Sequence, residues 1–220
     1  MLTRRRLLAL PFAAAALAAA PQLGAAGQTP AARPLADLED IARAETYLNR
    51  IKTMRARFIQ IASNGSYAEG VVSLHRPGRM RFEYDPPHPV LLIADGLNLL
   101  FYDKELKQAT FIPLWETPLW FLLREKVDLT HAVRVTEVAR GDGALRMSME
   151  ERGAEGEGGA VTLVFSERPF ALRKWEVTDA QGVTTTVALL NPRFDVALAD
   201  ELFEYGDLDP YGFRSGRNKP

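Results

Sequence analysis

The sequence contains no cysteine, and this absence excludes several classes of protein at once. Disulfide bonds, thiol nucleophiles, thiolate metal sites and a lipid-anchoring cysteine are all ruled out. The histidines, His75, His88 and His131, are dispersed and lack the spacing of metal ligands. The chain also lacks a Gly-x-Ser-x-Gly motif, a phosphate-binding glycine loop and a dinucleotide fingerprint. We therefore expect no catalytic residues, no metal and no cofactor.

The sequence also lacks an excess of charge of either sign. Its 27 Lys and Arg residues nearly balance 28 Asp and Glu residues, which gives a formal net charge of −1. Domains that bind nucleic acid are usually strongly basic, so we expect no nucleic-acid partner. A hydrophobic content of 47% and a charged content of 25% are ordinary for a globular protein. The 220 residues show no break in composition, which favours one β-rich domain.

Residues 1–26 have the pattern of an export signal rather than of a folded element. Arg4–Arg6 form a cationic start, Leu7–Ala20 are apolar and rich in alanine, and Gly24–Ala26 form a small-residue cleavage site. The arginines also resemble a twin-arginine signal, so both the Tat and the Sec export routes remain open. Cleavage near Ala26 would change the net charge from −1 to −4. We expect a periplasmic protein with a flexible leader over residues 27–36.

The rest of the chain alternates short apolar runs with turn residues, a rhythm that predicts an antiparallel meander. Asp37 is the expected N-cap of an amphipathic helix from Leu38 to about Lys52, and Asn64-Gly65 is a strong hairpin signal. We expect one domain over residues 37–205 and a loose tail over 206–220. The expected strands are Arg55–Ala62, Glu69–His75, Arg79–Tyr84, Val90–Ala94, Leu97–Tyr102, Gln108–Pro113, Ala132–Ala139, Leu145–Glu151, Ala160–Ser166, Ala171–Asp179 and Val183–Asn191.

Two stretches of the chain are especially informative, and the second of them interrupts the meander. Arg76-Pro77-Gly78-Arg79 predicts a turn, and the strand after it alternates so that Met80, Phe82 and Tyr84 share one face. Leu114–Leu123 is almost entirely apolar and predicts a short helix, with Thr117 as its cap and Pro118 as its first residue. Such a helix must lie on an apolar surface. A sheet of about eleven strands must close or be covered, and the two helices are its natural cover.

The order of these motifs resembles the outer-membrane lipoprotein carrier family, LolA. The resemblance rests on Phe58-Ile59-Gln60, Glu69-Gly70, Arg76-Pro77 before the Arg-Met-Arg-Phe-Glu-Tyr strand, Ile93-Ala94-Asp95-Gly96 and Phe101-Tyr102-Asp103. It covers about residues 38–205. It implies an unclosed antiparallel β-barrel of about eleven strands, with an α-helical lid over an apolar cavity.

The resemblance also implies a function and a site. Such a carrier takes acylated lipoproteins from an inner-membrane ABC complex to an outer-membrane acceptor, where one exists, and we expect a monomer. Arg76 would help to hold the lid closed. Met80 and Phe82 stand where many members carry phenylalanine and tryptophan, which leaves the cargo preference open. The expected lipid-binding and lid residues are Leu48, Ile51, Arg76, Met80, Phe82, Tyr84, Leu91, Ile93, Leu99, Phe101, Trp115 and Trp120.

Two other functions are compatible with the same fold. A lipid- or lipoprotein-sensing module would bind a membrane regulator and would usually carry a second domain. An enzyme could use the same half-barrel to act on an apolar metabolite, and it would need a cluster of titratable groups in the pocket. The sequence shows no such cluster.

Overall fold

The computed structural model describes residues 34–151, 159–179 and 182–208. The predicted signal peptide, residues 27–33 of the leader, the loop 152–158, residues 180–181 and the tail from residue 209 onward lie outside these ranges.

The described residues are organised around one antiparallel sheet of eleven strands, as the sequence predicts. The strands follow the order β6-β5-β4-β3-β2-β1-β11-β10-β9-β8-β7, so the sheet is unclosed and β6 and β7 are its edges. The strands are β1 (Thr53–Ala62), β2 (Tyr67–His75), β3 (Arg79–Tyr84), β4 (Val90–Asp95), β5 (Asn98–Asp103), β6 (Gln108–Pro113), β7 (Val133–Gly141), β8 (Ala144–Glu151), β9 (Ala160–Glu167), β10 (Phe170–Thr178) and β11 (Thr184–Phe194).

All but one of the strand pairings are between neighbours in the sequence. The exception is β1 with β11, which joins the two halves of the chain. Register shifts in β1 after Arg55, in β10 after Leu172 and in β7 after Val135 mark bulges. Bulges bend a strand and increase its twist, which lets a sheet of this size curve.

The longer helix, α1 (Leu35–Arg50), begins three residues earlier than the sequence predicts. The carbonyl oxygen of Pro34 accepts hydrogen bonds from the backbone N–H groups of Asp37 and Leu38, so the helix starts there. Asp37 is therefore not the N-cap. It lies in the first turn, where the helix dipole favours a negative charge.

The predicted helix over Leu114–Leu123 is divided into two short pieces. Leu114–Glu116 form a 3₁₀ turn, and α2 covers only Trp120–Leu123. The Thr117 hydroxyl donates a hydrogen bond back to the carbonyl oxygen of Leu114, 2.6 Å away, so it cannot cap the following helix. Pro118 accordingly precedes α2 and is not its first residue.

The sheet has an inner face, which packs against α1 and α2, and an outer face. Residues directly opposite each other on neighbouring strands share a face. One inner row runs from Val72 through Phe82 and Leu92 to Phe101. The large buried cluster of the protein lies between this face and the helices, and it includes Phe58 and Leu48.

The outer face carries a second, smaller apolar cluster. Leu91, Ile93 and Leu100 are buried there beneath Tyr205, with Leu208 packed against them. Tyr205 follows a 3₁₀ helix, Asp200–Phe203, and a further turn covers Gly206–Leu208. The chain after β11 therefore covers the outer face of β4 and β5. No helix in the described ranges is long and apolar enough to cross a membrane.

Candidate functional site

The two helices form a lid over the inner face of the sheet. Ile41, Ala44 and Leu48 of α1 belong to the same buried cluster as Phe121 and Leu122 of α2 and the inner-face side chains. The lid is apolar on the side that meets the sheet because α1 is amphipathic and α2 consists only of apolar residues. Burial of these side chains holds the lid on the sheet.

The two parts of the lid are anchored differently. Asn49 of α1 exchanges two hydrogen bonds of 2.9 Å with the backbone of Val127, and the Glu45 carboxylate accepts one from the N–H of Leu129. At the other end of α1, Arg140 of β7 lies 2.5 Å from the carboxylate of Asp40. The last residue of α2, Leu123, accepts a hydrogen bond of 2.7 Å from the N–H of Gly78. α1 is thus fixed by several polar side chains, and α2 rests mainly on apolar contacts.

A small cavity lies between the lid and the inner face. Its volume is about 40 Å³. Apart from Arg76, its lining is apolar: Leu48, Ile51, Met54, Val72, Leu74, Met80, Leu119, Leu122, Leu123, Leu172 and Trp175. Pockets for small molecules typically measure about 300–1,000 Å³. The cavity is therefore almost entirely apolar and much smaller than a typical ligand pocket.

The guanidinium of Arg76 is the charged group of this cavity. The residue is only 7% exposed, and its Nε and Nη1 have no hydrogen-bond partner among the described residues. Burial lowers the pKa of Arg76 to about 10, which still leaves the side chain charged at neutral pH. A buried guanidinium with two unpartnered nitrogens is unfavourable, because burial removes the water that would otherwise accept their hydrogen bonds.

These two nitrogens do not bind carbonyl groups of the lid, although the sequence resemblance implies that Arg76 helps to hold the lid closed. The carbonyl oxygen of Leu123 is occupied by the backbone N–H of Gly78, which belongs to the same turn as Arg76. The turn therefore does hold the lid, but through its backbone. The arginine side chain faces the cavity instead.

Aromatic rings fill the inner face next to the cavity. The ring of Phe58 lies 4.9 Å from that of Phe82 and 5.1 Å from that of Tyr84. Phe58 is directly opposite Gly70, and a Cβ at Gly70 would lie 2.7 Å from the Phe58 ring, so only glycine leaves room for it. Burial raises the pKa of Tyr84 to about 12, although its hydroxyl donates a hydrogen bond to Gln60 at 2.7 Å.

The structure brings together most of the residues that the sequence assigns to the site. Leu48, Ile51, Arg76 and Met80 line the cavity, and Phe82 and Tyr84 continue the same face. Leu99 is directly opposite Ala94 on that face and packs in a small cluster with Trp120.

Four of the predicted site residues lie elsewhere or are only partly covered. Phe101 is in the inner row of Phe82 but is 40% exposed, and Trp115 is 54% exposed. Leu91 and Ile93 are on the outer face, where Tyr205 buries them. This placement corrects their assignment to the lipid site. Both faces of β4 are covered, so its continuous apolar run does not indicate which residues face the lumen.

Sequence reasoning missed the wall of the cavity that comes from β10. Trp175 and Leu172 line it, and the Trp175 ring lies 6.3 Å from that of Phe82. The alternation of β10 suggests only that these residues are buried. The pairing of β1 with β11 places β10 in the same sheet as β3 and lets these residues reach it. This pairing joins distant parts of the chain, so no local sequence pattern reveals it.

A larger cavity of about 340 Å³ lies on the other side of α2. Its apolar wall is formed by Phe121, Val133, Met149 and Val161, and polar groups such as Arg124 lie at the same cavity. The side chains of α2 thus separate two spaces: Leu122 and Leu123 face the small cavity, and Trp120 and Phe121 face the large one.

Among the described residues, no group of three or more His, Cys, Asp and Glu side chains is arranged to hold a metal ion. The polar groups at the small cavity include the backbone of the Arg76–Arg79 turn and the guanidinium of Arg76, whose Nε and Nη1 have no hydrogen-bond partner among the described residues. The arrangement is suited to holding apolar chains.

Sequence comparisons find similarity to outer-membrane lipoprotein carriers. A family model described as "Outer membrane lipoprotein carrier protein LolA" matches residues 49–206. An outer-membrane lipoprotein carrier protein of Legionella pneumophila is 30% identical over 169 residues, which are 73% of this chain and 82% of the relative. One from Pseudomonas fluorescens is 24% identical and covers 77% of this chain and 85% of the relative.

A solved structure is similar to this chain in fold, and at its low sequence identity the similarity concerns the fold alone. A crystal structure of a DUF1329 family protein from Desulfovibrio piger covers 80% of this chain and 99% of that chain, with a TM-score of 0.50. Its sequence identity is 11%.

Proposed function

Because the chain belongs to the LolA family of outer-membrane lipoprotein carriers, we propose that it carries acylated lipoproteins through the periplasm. It would receive them from an inner-membrane ABC complex and deliver them to the outer membrane, to a separate acceptor where one exists. The proposal includes export of the chain and removal of residues 1–26. No covalent chemistry is required of the carrier.

The observation that carries this proposal is the apolar cavity beneath the lid. Its walls come from the inner face of the sheet and from both helices, and Arg76 supplies its charged group. An acyl chain of about 14 methylenes costs on the order of 11 kcal/mol to expose to water, at ~0.8 kcal/mol each. A lipoprotein with several such chains needs an apolar shelter to cross the periplasm.

The closed cavity of about 40 Å³ implies that loading requires the lid to move. We assign this movement to α2, which rests on apolar contacts, whereas α1 is fixed by Asn49, Glu45 and the ion pair of Asp40 with Arg140. Displacement of α2 would join the small cavity to the larger one of about 340 Å³. The combined space falls in the range typical of ligand pockets.

The same movement would hydrate Arg76. In the closed state its guanidinium lacks partners at Nε and Nη1, which raises the free energy of that state. Opening the lid would let water or cargo groups accept its hydrogen bonds. Arg76 therefore reduces the difference in free energy between the closed and the open carrier. Release of the cargo can then follow loading without an energy source in the carrier itself.

Isolation of the protein from the periplasm tests the proposal. Native mass spectrometry of gently purified protein, from cells with an active lipoprotein-releasing transporter, should show adducts with the masses of acylated lipoproteins. Leu119→Gln places an amide in the cavity wall and should reduce the loaded fraction, whereas Leu106→Gln changes a residue that is 63% exposed and should not. Empty protein under these conditions would overturn the carrier function.

A further inference from the structure

The turn Arg76–Arg79 is bound to the ends of both lid helices. The N–H of Arg76 donates a hydrogen bond of 2.9 Å to the carbonyl oxygen of Lys52, two residues after α1. The N–H of Gly78 donates one of 2.7 Å to the carbonyl oxygen of Leu123, the last residue of α2. The position of this turn therefore determines where α2 is held.

The same turn is also bound from the outer face, by the chain after β11. The guanidinium of Arg79 forms an ion pair with Asp200 and lies over the ring of Phe203, 5.8 Å from its centroid. Arg79 Nη2 is 3.1 Å from Nε2 of His75. Phe203 is 1% exposed, so this contact is part of a packed surface.

A second arginine joins the same C-terminal segment to the sheet. Arg81 Nη1 donates a hydrogen bond of 3.3 Å to the carbonyl oxygen of Leu202. The 3₁₀ helix Asp200–Phe203 is thus attached to β3 by two arginine side chains, close to the point where β3 leaves the turn.

The turn has little freedom to move on its own. Gly78 has a φ of +73°, and a Cβ at this position would lie 2.6 Å from Cα of Gly96 in the neighbouring turn. The backbone of one turn is therefore packed directly on the backbone of the other. A rigid segment that is held at both ends transmits a change at one end to the other.

We propose that Arg79 and Asp200 are positioning residues of the carrier: their ion pair on the outer face sets the turn whose backbone holds α2 over the cavity. Loss of the pair loosens the bond between Gly78 and Leu123, and α2 opens more often. The part of the proposal that concerns cargo rests on the proposed carrier function, whereas the coupling of the ion pair to α2 does not.

Amide hydrogen exchange of the free protein tests the coupling directly. Asp200→Asn should speed exchange of the Gly78 amide about fivefold, the factor expected for loss of a partly exposed ion pair. The amide of Phe58, in the core strand β1, should keep its rate. Glu176→Gln removes a carboxylate that pairs with Arg146 on β8, and it serves as the matched control.

Each outcome decides between the alternatives. Faster exchange at Gly78 alone supports the proposal. The double variant Arg79→Gln/Asp200→Asn should exchange no faster than Arg79→Gln alone, because the ion pair is already lost in that single variant. An unchanged Gly78 rate overturns it. An equal rise at Gly78 and Phe58, or the same local effect in Glu176→Gln, would show that Asp200 only stabilises the fold and would also overturn it.

A binding measurement separates this inference from the carrier function. Wild type and Asp200→Asn are mixed with a fluorescent fatty acid, and association and dissociation rates are recorded. Both rates should rise about fivefold in the variant, because opening of α2 limits both. If wild type binds and the variant has the same rates, the positioning role fails and the carrier function stands. If wild type binds no acyl probe and no lipoprotein, the carrier function fails, and the exchange result still decides the coupling.

Discussion

Arg76 and Leu122 line the same cavity, so a charged guanidinium and an apolar helix share one buried space beneath the lid. Burial lowers the pKa of Arg76 to about 10, and two of its nitrogens lack partners among the described residues. The closed lid therefore carries an electrostatic penalty that opening relieves. In a carrier, such a penalty keeps the closed state from becoming too stable to load.

Arg76→Leu should remove this penalty. We expect the free protein to fold normally and to gain about 1–3 kcal/mol in free energy of unfolding, because an unsatisfied buried polar group costs about that much. Loading should become slower, since α2 opens less often. Urea unfolding and the rate of fatty-acid binding measure the two effects.

Arg193→Leu is the control for this variant, because Arg193 is exposed. Surface substitutions of this kind usually change stability by less than about 0.5 kcal/mol. If Arg76→Leu is less stable than wild type, the guanidinium has favourable partners in the folded protein. If the variant loads and releases cargo normally, Arg76 has no role in the lid.

Gly78→Ala should weaken the attachment of α2 for two reasons: strain in the backbone at position 78 and a clash of the new Cβ with Gly96. The new Cβ would lie 2.6 Å from Cα of Gly96, and Gly78 has a φ of +73°. Gly65→Ala provides the comparison, because Gly65 has a φ of +89° but no atom within 4 Å of the new Cβ. Strained backbone costs about 1–3 kcal/mol in both variants. Only Gly78→Ala should lower the free energy of unfolding by more than this amount, and it should also speed hydrogen exchange of the amide at position 78. Equal destabilisation of the two variants would contradict the role of close packing.

Tyr84 predicts a loss of stability at alkaline pH. Its pKa is raised to about 12 in the folded protein by burial and is about 10 when unfolded, so the folded state keeps the proton longer. The stabilising contribution is complete below about pH 10 and is lost as pH rises from about 10 to 12. At about 1.4 kcal/mol per pKa unit, Tyr84 accounts for a loss of about 2–3 kcal/mol.

Tyr84→Phe isolates this effect. The difference in unfolding free energy between wild type and Tyr84→Phe should be constant below about pH 10. Above about pH 10, wild type should lose stability relative to Tyr84→Phe. Urea unfolding at a series of pH values measures the difference. A constant difference up to about pH 12 would show that Tyr84 ionises normally in the fold.

The number of strands and their positions along the chain could be predicted from the sequence, because each strand is short and ends at a strong turn signal. Asn64-Gly65 is one such turn, and Gly65 has the positive φ that it requires. Alternation correctly placed Met80, Phe82 and Tyr84 on one face, because the other face of β3 is polar and includes Arg79. The period-two pattern is informative wherever one face meets polar groups.

The same reasoning could not identify which face of β4 lines the cavity. Val90–Asp95 is nearly all apolar, and the residue that buries Leu91 and Ile93, Tyr205, comes more than 100 residues later in the chain. Trp175 was missed for a related reason, since it reaches Phe82 only through the pairing of β1 with β11. Long-range pairing and coverage of a second face leave no local pattern in a single sequence.

The two faces of the sheet can be told apart by a pair of truncations. Ile93→Ala removes a side chain that is fully buried on the outer face, and it should cost about 2–5 kcal/mol, as core truncations of this type do. Because Ile93 does not line the cavity under the lid, where we propose that acyl chains bind, the folded fraction of this variant should bind a fluorescent fatty acid with wild-type affinity.

Met80→Ala is the matched change on the inner face. Met80 lines the cavity and is only partly buried, so its truncation should cost less stability than that of Ile93 and should enlarge the cavity. We expect its affinity for acyl chains to change, with longer or branched chains tolerated better. Affinity per folded molecule, measured for a series of chain lengths, distinguishes the two variants. If Ile93→Ala changed this profile and Met80→Ala did not, the cavity under the lid would not be the lipid site, because the face that binds acyl chains would then be the one that Tyr205 covers.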